Sequence, residues 1–286
     1  MFTITFLGTS ASVPTVDRGM PSLAVKYGGE LMLWDCGEGT QRQLMRYRAG
    51  FGSIDAIFIT HPHLDHFLGM FGLLETLKLS SVSPKPLTLV TSQKFDAQNY
   101  PFVKQTKMRK GKIHSGNGFE ISAFPVKHCR GSYGIIFREE DKLKFYEEKA
   151  HSLGLKGRMF QEIQKKGKVE AGGRTVRLED VTWTRPGRKV VYTGDSAPDE
   201  NTASAAQGAD LLIHEGTFDA SMEDEARERQ HSTVEDAAVI AKKAKVKKLI
   251  ITHISPRYSD SSMLLKQAQE IFNNTIIASD GLTVEI

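Results

Sequence analysis

Ile57-Phe58-Ile59-Thr60-His61-Pro62-His63-Leu64-Asp65-His66 takes an apolar, strand-like run directly into three histidines and an aspartate. The spacing has a geometric reading. Side chains alternate along an extended strand end, so His61 and His63 point to one side, while Asp65 and His66 lie one turn further on and face a second ion. A single histidine at a strand end is more often a satisfied polar group than a ligand. Four candidate donors in one short loop behind Ile/Phe residues instead mark a two-metal hydrolytic site.

The chain around this loop has 286 residues, 40% hydrophobic and 25% charged, the composition of an ordinary globular protein. That length suits one large α/β domain carrying an insertion. No apolar run approaches the roughly 18 residues needed to span a bilayer, so no membrane segment is expected. Met1-Phe2-Thr3-Ile4-Thr5-Phe6-Leu7-Gly8 reads as a first strand rather than a secretion signal, and the expected location is cytoplasmic. Cys36 and Cys129 are taken as free thiols. A net charge of +4 permits an anionic substrate without requiring one.

Before the histidine loop, short apolar runs at residues 4–7, 22–25, 31–34 and 54–60 read as strands, and residues 41–47 as a helix. Residues 67–79 read as an amphipathic helix with Leu68, Phe71, Leu74 and Leu77 on its packed side. Further along, four apolar runs end in polar or ionisable residues, at His128, Asp195, His214-Glu215 and His253. In an α/β sheet, positions just beyond the strand ends line a shared crevice, so loops far apart in sequence converge on one site. His114 and His151 lie outside that pattern and are assigned surface or structural roles.

Between about residues 139 and 188 the pattern breaks into a basic arm. Lys142, Lys144, Lys149, Lys165, Lys166, Lys168, Arg174 and Arg177 are among its cations, and Gly154, Gly157, Gly167, Gly172 and Gly173 interrupt regular elements. A charged insertion is usually no more than a solvated surface. Next to a hydrolytic site, it points to contact with a phosphate backbone.

The set His61-x-His63-x-Asp65-His66, His128, Asp195 and His253 resembles the metallo-β-lactamase superfamily along nearly the whole chain. The resemblance implies a four-layer α/β/β/α sandwich with an inserted arm and two zinc ions per subunit, manganese or iron being alternatives. It assigns His61, His63 and His128 to one ion, Asp65, His66 and His253 to the other, and Asp195 to both. Within the superfamily, residues 6–15, 35–41, His214-Glu215-Gly216-Thr217, His231-Ser232-Thr233 and residues 252–258 are similar to the ribonuclease Z family. That likeness implies cleavage of precursor transfer RNA to leave a 3′-hydroxyl and a 5′-phosphate on the trailer, a homodimer, and an arm that holds the RNA. The family's arm commonly carries Gly-Pro, whereas this arm has Gly157-Arg158-Met159-Phe160.

The expected catalytic residues are Asp65, His231 and Glu215. Asp65 orients the attacking water or accepts its proton. His231 donates a proton to the leaving 3′-oxygen, which leaves poorly as an alkoxide. Ser232 and Glu235 fit a capping box that places His231 before a helix N-terminus, and Glu215 is expected to hold His231. Competing readings are a small-molecule metallohydrolase, such as a thioesterase or lactonase, which needs no basic arm, and an RNA-binding protein with structural zinc.

Overall fold

The computed structural model of the chain describes residues 2–96 and 98–286. Its first half builds β1 (Phe2–Gly8), β2 (Ser22–Tyr27), β3 (Glu30–Trp34), α1 (Thr40–Arg46), β4 (Ile54–Phe58), α2 (Leu64–Phe67), α3 (Gly69–Leu79), β5 (Leu87–Thr91) and β6 (Val103–Lys107). Then come β7 (Gly111–Gly116), β8 (Phe119–Pro125) and β9 (Tyr133–Glu139). The segment Glu139–Arg188 forms a compact unit of its own. It holds β10 (Lys142–Phe145), α4 (Glu147–Ser152), α5 (Met159–Lys166), β11 (Lys168–Ala171), β12 (Arg174–Arg177), α6 (Leu178–Val181) and β13 (Thr182–Arg185). The chain then continues through β14 (Lys189–Tyr192), α7 (Glu200–Ala206), β15 (Leu211–Glu215), α8 (Glu223–Glu228) and α9 (Val234–Lys243). It closes with β16 (Leu249–Thr252), α10 (Ser262–Ile271), β17 (Thr275–Ile277) and β18 (Thr283–Glu285).

Two seven-stranded sheets result, ordered β18-β1-β2-β3-β4-β5-β6 and β17-β16-β15-β14-β9-β8-β7. Four consecutive strands reaching one edge of each sheet are parallel, β3 to β6 in one and β14 to β17 in the other. Alternation along each strand divides its side chains between two cores. Phe2, Ile4, Phe6, Met32, Trp34 and Phe58 of the first sheet meet Ile121, Ile135, Phe137, Tyr192, Ile213 and Ile250 of the second. Their sequence neighbours point outward. Leu31, Leu33 and Ile57 pack beneath Leu44 of α1 and Met70, Leu73 and Leu74 of α3. Leu212, Leu249 and Ile251 pack beneath alanine-rich faces of α7, α9 and α10. Helix, sheet, sheet and helix form the expected α/β/β/α layers. Among the described residues, no helix is long and apolar enough to cross a membrane.

One helix is rotated from the sequence expectation. Leu68 and Phe71 are exposed, at 45% and 42%, whereas Met70, Leu73 and Leu74 are buried. The cause is a backbone contact: a Cβ on Gly69 would stand 1.9 Å from the carbonyl oxygen of Gly37. Only glycine lets the helix approach the loop after β3 this closely, and the approach turns residues 70, 73 and 74 inward. Residues 126–128 also differ, lying beyond the end of β8 in a loop where Lys127 bridges Ala197.

The inserted unit has a small core of its own, built from Ala150, Leu155, Ile163, Ala171, Val176 and Val181. At its root, the buried Glu139 carboxylate accepts from Arg188 Nε at 2.6 Å and pairs with Arg185 at 3.2 Å and Lys142 at 2.7 Å. One carboxylate thus gathers three cations.

Candidate metal centre

The donors collect where strands of both sheets end. The loop after β4 supplies His61 and His63, and α2 supplies Asp65 and His66. His128 follows β8, Asp195 follows β14 and His253 follows β16. His61, His63, His128 and Asp195 form one group, and Asp65, His66, Asp195 and His253 another, the ligand atoms of each lying within 4.8 Å of one another. Asp195 belongs to both and divides its oxygens between them. Oδ2 is 3.5 Å from His61 Nε2 and 3.9 Å from His128 Nε2. Oδ1 is 3.2 Å from His66 Nε2 and 3.3 Å from His253 Nε2. Asp65 Oδ2 completes the second group, 3.6 Å from His253 Nε2 and 3.7 Å from His66 Nε2. In the first group His63 Nδ1 lies 3.1 Å from His128 Nε2.

These separations suit divalent ions. Donors about 2.0–2.1 Å from a tetrahedral ion stand about 3.3 Å from one another. Moreover, the Nε2 atoms of His61, His66 and His253 and Asp195 Oδ1 are buried without a hydrogen-bond partner. Buried polar atoms left unpaired are costly, and four that face each other have the form of a metal site.

Four of the five imidazoles are held through the outward nitrogen. His66 Nδ1 is 2.8 Å from Asp35 Oδ2, His61 Nδ1 3.1 Å from Thr60 Oγ1, and His253 Nδ1 2.9 Å from Thr217 Oγ1. His128 Nδ1 donates to the carbonyl of Gln230 at 2.9 Å. Such partners set the tautomer and aim of a ligating imidazole. Asp35 carries the largest share, since it also accepts from Tyr192 Oη at 2.8 Å and from Thr60 N at 2.8 Å. Its backbone is in the left-handed region at φ 60°, as is His253 at φ 59°. Strained backbone at two such positions is typical of functional sites. Asp35→Asn is expected to weaken metal binding about 10- to 100-fold, measured by competition with a chromogenic chelator; unchanged affinity would remove Asp35 from the site's support.

Electrostatics follow from burial. Burial holds the His61 imidazole well below its ordinary pKa, keeping a lone pair on its ring. His128 is likewise lowered, chiefly by burial. Burial would lower His66 too, but Asp195 and Asp35 hold it well above its ordinary value, so an arriving cation displaces that proton. Asp195, although burial opposes ionisation, is held well below the carboxylate range by His253, His66 and His61.

Beside the ligands stands an ion pair. His231 Nδ1 lies 2.7 Å from Glu215 Oε1, and its ring neighbours those of His128 at 4.9 Å and His253 at 5.5 Å. The buried Glu215 carboxylate also accepts from Ser196 N, Ser232 N, Thr217 N and Thr217 Oγ1. Burial would raise Glu215, but His231 brings it down to about 2. Burial would lower His231, but Glu215 lifts it to about 9. Glu215, His231 and His253 also form a third candidate ligand group, though the Glu215 oxygens are already engaged by these donors.

The capping box before α9 is one residue later than expected. Thr233 Oγ1 accepts from Asp236 N at 3.1 Å, and Asp236 Oδ2 accepts from Thr233 N at 2.8 Å. Ser232 stands one residue before the cap, with its hydroxyl turned to donate to the carbonyl of Ser196 at 2.6 Å. His214 is fully buried, with Nδ1 2.7 Å from the Glu215 carbonyl, and joins no ligand group among the described residues. His114 packs against Phe58 and faces Glu30, and His151 lies in the inserted unit against Phe160. Cys36 and Cys129 are free. Asp35, Thr60 and Thr217 were missed by sequence reasoning, although Asp35 ends the apolar run 31–34 just as Asp195 ends its own strand.

Sandwich and donor set together define the class: residues 21–253 match the metallo-β-lactamase superfamily, and the chain belongs to it. The solved metallo-β-lactamase fold protein YhfI from Bacillus subtilis is similar at TM-score 0.74 and 20% identity, covering 100% of this chain and 99% of that one. The chain is 43% identical to ribonuclease Z of Archaeoglobus fulgidus, over 100% of this chain and 98% of the relative, and 39% identical to that of Myxococcus xanthus, over 99% and 97%. The human tRNase Z, short form, matches at TM-score 0.69 and 26% identity over 99% of each chain. Within the superfamily, then, the chain belongs to the ribonuclease Z family and is a metal-dependent endoribonuclease.

Proposed function

We propose that the chain removes the 3′ trailer from precursor transfer RNA with two zinc ions per subunit, leaving a 3′-hydroxyl and a 5′-phosphate. The observation that carries this reading is the division of Asp195 between two donor groups with the Glu215–His231 pair beside them. Paired ions at such a site activate water near neutral pH and stabilise charge on the attacking and leaving oxygens of a phosphodiester. The remaining roles belong to side chains. Asp65, against the burial that would raise it, is kept ionised chiefly by the His253 imidazole, whose Nε2 lies 3.6 Å away. It also accepts from Ser12 N at 3.1 Å, which leaves it oriented to take the proton of the attacking water. His231, whose pKa Glu215 raises to about 9, supplies the proton to the departing ribose 3′-oxygen from Nε2, while its Nδ1 stays on Glu215.

The transfer RNA substrate is supported by the similarity to human tRNase Z and by the basic inserted unit. A cytoplasmic site of action accompanies that substrate. We read the protein as a homodimer, for which the exposed Leu64 and Leu68, one helical turn apart, offer apolar surface.

The test is incubation of zinc-loaded protein with end-labelled precursor transfer RNA and an unstructured control RNA. Expected is one cut at the trailer junction of the precursor only, with the stated ends; equal fragmentation of both RNAs would refute a processing role. Joining Arg138 to Lys189, which are register partners, removes residues 139–188 across a short turn. That variant should lose affinity for the precursor far more than hydrolysis of a small chromogenic diester.

A further inference from the structure

The metal loop has a second neighbour. Pro62, between the donors His61 and His63, lines a cavity of about 220 Å³ whose floor is Ile59 and Met70. Its walls are three phenylalanines. Phe71 stands 6.1 Å from Phe67 and 5.8 Å from Phe95, centroid to centroid. Thr91, Gln93, Lys94 and Asp96 complete the lining. The loop bearing them is fastened down, Gln105 accepting from Phe95 N at 3.2 Å and donating to the Gln93 carbonyl at 2.6 Å. Phe71 is 42% exposed, so core packing does not account for its place.

We propose that this cavity is a nucleobase subsite, taking a base of the RNA next to the scissile phosphate. Three observations carry it. The cavity is smaller than the roughly 300–1,000 Å³ of sites for drug-sized ligands, so it suits a single ring system. Aromatic walls match the faces of a base, and Gln93 and Lys94 match its polar edge and the adjoining phosphate. Pro62 joins the cavity to the donor loop, so a strand whose phosphate lies at the donors brings a neighbouring base to the phenylalanines. The proposal rests on the endonuclease reading above and adds a grip on the nucleotides flanking the cut.

The experiment uses the full chain and precursor RNA carrying the fluorescent base 2-aminopurine at each flanking position in turn, with fluorescence and cleavage read from the same sample. Stacking should quench the probe at one position. Phe71→Ala should abolish the quench and weaken binding about 10-fold, within the range expected for losing one stacked base, while Phe71→Tyr restores both. Quenching that depends on Phe71 supports the subsite even if the RNA stays uncut, a result that would defeat the trailer-processing reading alone. Cleavage with no Phe71-dependent quench overturns the subsite. So does a Phe71→Ala variant whose only change, by light scattering, is dissociation of a dimer, because a second copy would then be the occupant.

Discussion

Asp195→Ala is expected to abolish RNA cleavage, by about 10³-fold or more, and to deprive both donor groups of metal at once. Oδ1 serves one group and Oδ2 the other, so a single substitution removes a donor from each. Ions at such a site supply several kcal/mol of transition-state stabilisation, and each 1.36 kcal/mol is tenfold in rate. The substitution also strands charge, since His66 would keep only Asp35 as a close buried counter-ion. Metal content by atomic emission and single-turnover cleavage give the measurement, with circular dichroism as the fold control. His63→Ala, by contrast, removes a donor from one group only. A folded Asp195→Ala protein with full metal and normal cleavage would show that the shared carboxylate is not the centre of the site.

His231→Ala separates proton donation from everything else. With RNA, whose ribose oxygen needs a proton to leave, kcat should fall about 10²- to 10⁴-fold, the usual worth of general acid catalysis. With bis(p-nitrophenyl) phosphate, whose phenolate leaves without help, the loss should be slight. The structure supports that division because His231 lies beside His128 and His253 but holds its Nδ1 on Glu215, outside the two main donor groups. Equal losses on both substrates would assign His231 to the integrity of the metal groups instead.

Much of the candidate site was legible because its donors lie just beyond apolar runs or in the short helix that follows one, and strand ends in this architecture meet at one rim. Asp35 obeys the same rule, ending the run 31–34, and was missed for want of a histidine beside it. The face of α3 was not legible. Apolar residues at 67, 68, 70, 71, 73, 74 and 77 satisfy two helical faces, and the choice is made by Gly69 against Gly37, a contact between elements. The cap of α9 failed for a similar reason. Ser232/Glu235 and Thr233/Asp236 both fit the spacing, and the Ser232 hydroxyl turns instead to the Ser196 carbonyl. The small core of the inserted unit is spread over short elements among charges and glycines, leaving no periodic stripe to find.

Each donor group draws on both halves of the sandwich. His61 and His63 come from the loop of the first sheet, and His128 and Asp195 from the second; Asp65 and His66 from the first, and Asp195 and His253 from the second. Those side chains can therefore act as a hasp as well as a reaction centre, since coordination joins the rims of two sheets otherwise held together mainly by their shared apolar core. Loss of metal is expected to loosen that rim first and to leave the apolar centre standing. Hydrogen exchange on the chelated protein should be fastest in the loops after β4, β14 and β16, and metal should slow it there most of all.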